Sequence, residues 1–359
     1  VLVSVLVACG GGGGGDTAPV GSAGTDSTVG TGGTGGAVEA SELQDISFGG
    51  SVGDGPLVGA DIHIFDSKGG LMTAMKSDAF ANYSLTFKTR SNPFPVTVQA
   101  FRGTDLVTGT PADFALKAVA LSKTQRRVNL NPFTTMIVEV ARAMPRGLTA
   151  ENVAAARTIV LRELNFGLDS SAMADPLTTT VDENNIADVV RASEAFGEMI
   201  RRTRTALAYA GTIRTHEAIV TAIARDITDG RLDGVGASGT DQRIAGAASV
   251  AAAQVLVETL QNGLHVNGTQ AVASMDNAIQ STLPSTPSAA LTESVPVTAG
   301  LIVQTARVLS ALQAVDARAE LNALTDTVAA ISVGSLPAEV RAQLDIADSQ
   351  LLNSTLTNV

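Results

Sequence analysis

The sequence predicts an α+β, multidomain chain: an N-terminal β-sandwich followed by an all-α helical domain. Three observations predict it. Short β-prone runs, separated by turns of Gly, Pro, Asn and Asp, fill residues 43–130. From Asn131 onward apolar residues recur at helical spacing. Composition also shifts between the two blocks. All five lysines precede residue 124, eight of ten phenylalanines precede residue 134, and Tyr209 is the only aromatic after Phe196.

Residues 1–9 come first. Val1 to Ala8 is an uncharged run that ends at Cys9, the chain's single cysteine, and six glycines follow, Gly10 to Gly15. The run is far shorter than the roughly 20 residues that span a bilayer as a helix. It fits the apolar end of a secretory signal. Leu6-Val7-Ala8-Cys9 resembles the lipobox of bacterial lipoproteins. That resemblance implies cleavage before Cys9, lipidation of Cys9, and anchoring of the chain to a lipid bilayer of the bacterial cell envelope. Gly10, standing where Asp would retain such a protein, implies onward transport to the outer membrane. Several acyl chains, at roughly 0.8 kcal/mol per buried CH₂, anchor stably where one is marginal. With no second cysteine, internal disulfides and thiolate metal sites are excluded.

Residues 10–42 are Gly, Ser, Thr, Ala and Asp with few large apolar side chains. Such a segment buries too little surface to offset its ordering entropy, so it reads as a disordered tether.

In 43–130, Ile46, Phe48 and Val52 lead to the turn Asp54-Gly55-Pro56. Ala60, Ile62 and Ile64 then alternate with Asp61, His63 and Phe65. Leu71–Lys76, Tyr83–Lys88 and Val96–Phe101 are further strand candidates. Gly50 to Ile62, followed by Ser77-Asp78-Ala79-Phe80-Ala81-Asn82-Tyr83, resembles the carboxypeptidase regulatory-like domain. The resemblance implies a small prealbumin-like β-sandwich and an accessory module with no peptidase activity. Ala81 stands where that family usually has glycine.

The helical domain, 131–282, opens at Asn131-Pro132, a cap followed by a residue suited to the first helical position. Asn131-Pro132-Phe133-Thr134-Thr135-Met136 also resembles a segment that follows such sandwiches in bacterial lipoproteins. Thr149 is placed to cap the next helix. Thr180 and Glu183 match a capping box for a helix carrying Val189, Phe196, Ile200 and Leu207 on one face. Further helices are expected at 214–228, 241–264 and 269–282. A linker is expected at 283–296 and C-terminal helices within 297–359. There Leu301, Thr305, Val308, Leu312, Val315 and Ala319 repeat with coiled-coil-like spacing.

Net charge is −11, which argues against nucleic acid as a partner, since phosphate binding needs a basic face. Tryptophan is absent, which argues against a large sugar-stacking platform.

Letters that suggest chemistry carry little of it. Gly234 to Gly239 matches G-x-G-x-x-G, but Asp229 to Asp233 before it reads as a loop, not the strand a dinucleotide site needs. Asp226, Asp229 and Asp233 are candidate metal ligands, yet they do not fit the calcium-loop ladder and read as a helix-ending turn. His216-Glu217 starts like a zinc-peptidase helix, but Val220 replaces the second histidine. Arg201, Arg202 and Arg204 read as a solvated helix face. No catalytic or cofactor-binding constellation is complete. The expected role is therefore non-catalytic binding or structure in the envelope, with an envelope protein or polymer as the partner. The alternatives are an accessory subunit of a transport or secretion assembly, docking through 297–325, and a hydrolase with dispersed carboxylates.

Overall fold

The computed structural model describes residues 43–168, 173–209 and 211–286. Cys9 and its lipobox, the tether, most of the linker and the helices expected within 297–359 lie outside the described residues.

Strands come first in the chain: β1 (Gln44–Ser51), β2 (Leu57–Val58), β3 (Asp61–Phe65), β4 (Leu71–Lys76), β5 (Asn82–Thr89), β6 (Val96–Phe101), β7 (Thr104–Asp105) and β8 (Leu116–Ala120). Helices follow: α1 (Pro132–Ala143), α2 (Ala150–Glu163), α3 (Ile186–Tyr209), α4 (His216–Asp226) and α5 (Gln242–Leu260). A small hairpin, β9 (His265–Val266) and β10 (Thr269–Gln270), precedes α6 (Val272–Thr282). The chain is thus α+β, antiparallel strands and then helices, as the composition predicts.

β4, β3, β6 and β8 form a four-stranded antiparallel sheet in that order. Alternate residues point to opposite faces of a strand. Ile62 and Ile64, Val96, Val98 and Ala100, and Leu116, Ala118 and Ala120 accordingly share one buried face. β1 pairs with β5 along its whole length, from Gln44 opposite Thr89 to Ser51 opposite Asn82. The other edge of β1 receives residues 126–130 in parallel. Gly49 N–H donates to the Arg126 carbonyl (3.1 Å), Val128 N–H to that of Gly49 (2.8 Å) and Leu130 N–H to that of Ser51 (2.9 Å). Gly50 permits this approach, because a Cβ there would stand 2.3 Å from the Val128 carbonyl oxygen. Tyr83 closes the group by donating its hydroxyl to that same oxygen at 2.6 Å.

The parallel segment runs directly into α1. Asn131 Oδ1 accepts from Thr134 N–H, and Thr134 Oγ1 accepts from Asn131 N–H, both at 2.9 Å. This capping box satisfies two of the groups a helix start leaves unpaired. The threonines also dock the helix on β8: Thr134 Oγ1 donates to the Lys117 carbonyl and Thr135 Oγ1 accepts from Lys117 N–H, each at 2.8 Å. Phe133 enters the core. The run Asn131 to Met136 is therefore a joint between strand and helix. α1 is buried from Pro132 to Ala141.

Thr149 caps α2, as expected, through Asn152 N–H. α3 departs from expectation. The Thr180–Glu183 capping box does not form, because Asn185 takes over the turn: its Oδ1 accepts from Asp182 N–H and its amide donates to the Thr180 carbonyl. The helix then starts at Ile186. The helix expected to reach 264 ends at Leu260, and Asn267-Gly268, both at positive φ, turn the hairpin instead. Of the helices among the described residues, α5 alone is long and apolar enough to cross a membrane, and it lies along α3 with Ile244, Ala248, Ala252 and Leu256 buried.

One hydrophobic cluster runs from Ile46 and Phe48 through Leu130 and Phe133 to Ile279, so strands and helices share a single core.

Candidate functional site

The helical periodicity of α3 places Glu194, Gly197, Glu198 and Arg201 on one face, three and four residues apart. That face meets the strand block, not solvent. The Arg201 side chain is 9% exposed and Arg202 is half-buried, so the expectation of a solvated basic run holds for the exposed Arg204 alone. Its Nε donates to Glu198 Oε2 at 2.7 Å and its Nη1 to Asp113 Oδ2 at 3.1 Å. Nη1 also reaches Asp54 Oδ2 at 3.4 Å, and Nη2 reaches Glu194 Oε2 at 3.3 Å. Four carboxylates thus surround one guanidinium.

The strand block delivers its acids through turns. Asp54 sits in the β1–β2 turn, which Gly53 N–H ties to the Leu130 carbonyl at 2.8 Å. Asp105 faces Leu57 across the β2–β7 pair. Its own carboxylate accepts Val107 N–H (2.8 Å) and the Thr108 hydroxyl (2.7 Å). Two glycines make room. A Cβ on Gly55 would meet Asp105 Oδ1 at 2.3 Å and Glu194 Oε1 at 2.6 Å, and a Cβ on Gly197 would meet Asp54 Oδ2 at 2.1 Å.

Acids outnumber bases here, and burial disfavours charge. Desolvation pushes Asp54 up to about 7, with the nearby charges of Asp105 and Asp113 adding to it against the pull of Arg201. Burial likewise raises Glu194 well above the usual carboxylate range, aided by Asp54 and Asp105. Asp105 is raised by the same cause. Burial also works against the Arg201 charge, but Asp54, Glu194 and Glu198 more than offset it and hold its pKa above the ordinary value. Asp54 Oδ1 and Glu194 Oε1 are buried without a hydrogen-bond partner. Protonated carboxyls at these positions match that pattern better than two bare charges would.

The cluster extends outward. Glu198 Oε1 accepts from Arg202 Nε at 2.9 Å. Arg202 grips Glu258 of α5 through two bonds of 2.7 and 2.8 Å. Glu258 Oε2 accepts His265 N–H, and Glu198 Oε2 accepts Asn267 N–H, so the β9–β10 hairpin hangs on this chain.

Beside the Asp54 turn lies a largely apolar cleft of about 80 Å³, lined by residues including Val52, Pro56, Phe80, Leu130, Val189 and Leu283. A more polar cavity of about 570 Å³ adjoins Phe65, Thr97, Gln99, Arg142, Arg146 and Leu148. Both arginines there are engaged, Arg142 with Glu139 and Thr97, and Arg146 with Glu151.

The residues singled out in the sequence fall elsewhere. Asp226 ends α4 buried, reaching Gly236 N–H at 3.4 Å. Asp229 and Asp233 each accept a backbone N–H two residues on, from Arg231 and Val235 at 3.0 Å. Asp229 and Asp233 therefore shape their own turns, while Asp226 holds the loop at Gly236. No group of three or more His, Cys, Asp or Glu among the described residues is placed to hold a metal ion. Gly236 of the G-x-G-x-x-G letters lets its loop lie on the end of α4, where a Cβ would be 2.0 Å from the Asp226 carbonyl oxygen. His216 opens α4 behind the Thr215 cap, with Nδ1 3.1 Å from the Asp113 carbonyl oxygen. Burial lowers its pKa.

Asp105, Asp113, Glu194 and Glu198 are the residues that sequence reasoning missed; Asp54 was read only as part of a turn and Arg201 only as part of a solvated face. One signal was present: Glu194-x-x-Gly197-Glu198-x-x-Arg201 puts charge and a glycine on one stripe of α3. No protein-family model matches the chain, and neither a curated protein nor a solved structure matches it.

Proposed function

We propose that the chain is a lipid-anchored protein of the bacterial cell envelope, held at the outer membrane through acylated Cys9, with a non-catalytic binding or structural role. The observation that carries the anchor is Leu6-Val7-Ala8-Cys9 followed by six glycines. In this reading residues 10–42 are the tether, and the partner is an envelope protein or polymer, not nucleic acid. The non-catalytic role is supported by the direction of the converging acids. Asp54, Glu194 and Glu198 turn onto Arg201 in the interior, with side chains 5%, 0% and 5% exposed.

Residues 43–130 are proposed as a carboxypeptidase regulatory-like, prealbumin-like sandwich. Support comes from the turn before β5. Asp78 Oδ1 accepts Phe80 N–H and Asn82 N–H, and Ala81 adopts φ 56°, a conformation that favours glycine. That is the position where the resembled family carries glycine.

The test of the anchor is Cys9→Ser in the full chain, expressed in a host with two membranes. Loss of acyl labelling and release from the membrane fraction are expected; retention of both would refute the anchor. The convergence of Asp54, Asp105 and Glu194 favours a second reading, a hydrolase that uses them. Hydrolysis of an envelope polymer by the purified chain, abolished by Asp54→Asn, would establish it.

A further inference from the structure

The Arg201 cluster has a feature that structural ion pairing alone does not need. Two buried carboxylate oxygens, Asp54 Oδ1 and Glu194 Oε1, lack partners inside a group already rich in acids. A buried charge without a partner is expensive, and a carboxyl avoids the cost by keeping its proton. The two acids belong to different elements, the β1–β2 turn and α3. Asp54 also borders the 80 Å³ cleft.

We propose that the cluster is a proton-linked latch: with Asp54 protonated beside the buried Glu194 carboxyl the β1–β2 turn stays seated on α3, and when that proton leaves to solvent the turn lifts and the cleft beside it widens. The charged groups facing the pair come from each neighbouring element. Arg201 and Glu198 face it from α3, Asp105 from β7 and Asp113 from the loop before β8. His216 of α4 adjoins Asp113 through its carbonyl. Arg201 supplies one full positive charge. Glu198 divides its oxygens between Arg201 and Arg202, so loss of the proton leaves an excess negative charge inside. The latch belongs to the folded body and operates with or without acylation of Cys9.

The direction follows from linkage. Asp54 titrates near 3.8 when unfolded and about 7 when folded, so the folded state binds the extra proton between those values. Stability from this group is fully present below the lower value and is lost as pH rises to the higher one. One proton taken up on folding weakens the folding equilibrium about tenfold per pH unit across that window.

The experiment compares the full chain with Asp54→Asn and Glu194→Gln. Urea midpoints are measured from pH 4 to 9, and exchange of the Gly53 and Leu57 amides, corrected for intrinsic rates, at pH 6 and 9. The expected result for the unchanged chain is a falling midpoint and at least about tenfold faster corrected exchange at pH 9, exceeding the change at the β6 amides, which follows the global loss alone. Either variant should flatten both. If a variant does not fold, carboxyl carbon NMR of the unchanged chain decides, since a buried carboxyl titrating near 7 is required. A pH-independent turn, or equal pH dependence in a folded variant, overturns the latch. So does stabilisation by millimolar calcium or magnesium at pH 9 that Asp54→Asn abolishes, because a metal and not a proton would then balance the acids.

Discussion

Gly197 leaves its place on α3 to the Asp54 carboxylate: a Cβ there would stand 2.1 Å from Oδ2 and 2.6 Å from Oδ1. Alanine at a helical position normally gains about 1 kcal/mol over glycine. Here the turn carrying Asp54 must move or the helix must shift, and overpacking of this kind costs about 1–3 kcal/mol. Gly197→Ala is therefore expected to be destabilising by up to about 2 kcal/mol net, read as a lower urea midpoint at unchanged slope. A gain in stability would show that Asp54 is not seated against α3.

The Phe196 ring touches both Phe133 of α1 and Phe166, with centroids 5.3 and 5.4 Å away in edge-to-face arrangements. All three side chains are fully buried. Phe196→Ala should cost about 3–5 kcal/mol, the range for removing a large aromatic from a packed core. Thermal unfolding monitored at the amide band checks it, and Phe196→Leu should recover most of the loss.

Tyr83→Phe removes a side-chain donor to the Val128 carbonyl. Leaving a buried acceptor short of a partner costs about 1–3 kcal/mol. The value here should fall near the lower end, because the phenyl ring still fills its place. A chevron measurement separates this loss from any effect on folding rate.

The hairpin gives a pH prediction of opposite sign to that of the latch. Burial raises the pKa of Glu258, but Arg202 and His265 N–H outweigh it and hold the carboxyl below its usual range. A depressed carboxylate contributes stability above its unfolded value of 4.5 and loses it as pH falls through the folded value. The His265 amide should therefore lose exchange protection on acidification before the amides of β6 do. Glu258→Gln should abolish that early loss.

What the sequence made legible is what neighbouring residues decide. Asn131-Pro132 and Thr149 announced the starts of α1 and α2 because a cap needs only the next three or four residues. The alternation in β3 showed its buried face for the same reason. Asn267-Gly268 was an equally local signal for the hairpin, hidden by the apolar runs on either side. The Thr180–Glu183 box failed because Asn185, two residues beyond, competes for the same turn. Only the α3 half of the Arg201 cluster left a local signal, and its link to the strand block left none: Asp54 and Arg201 are 147 residues apart. Asp54 and Asp113 lie in a turn and a loop where Asp is expected for local reasons, so nothing near them in the chain marks the partner they share.

The parallel seam between β1 and residues 126–130 has a thermodynamic consequence. Because the same short segment finishes the sheet, accepts the Tyr83 hydroxyl and caps α1, helix and sheet cannot melt independently of each other. Calorimetry of the full chain should give a single endotherm for residues 43–286, with van't Hoff and calorimetric enthalpies in agreement. Cutting the chain between strand and helix would then yield two fragments that do not fold alone but recover the native circular dichroism when mixed.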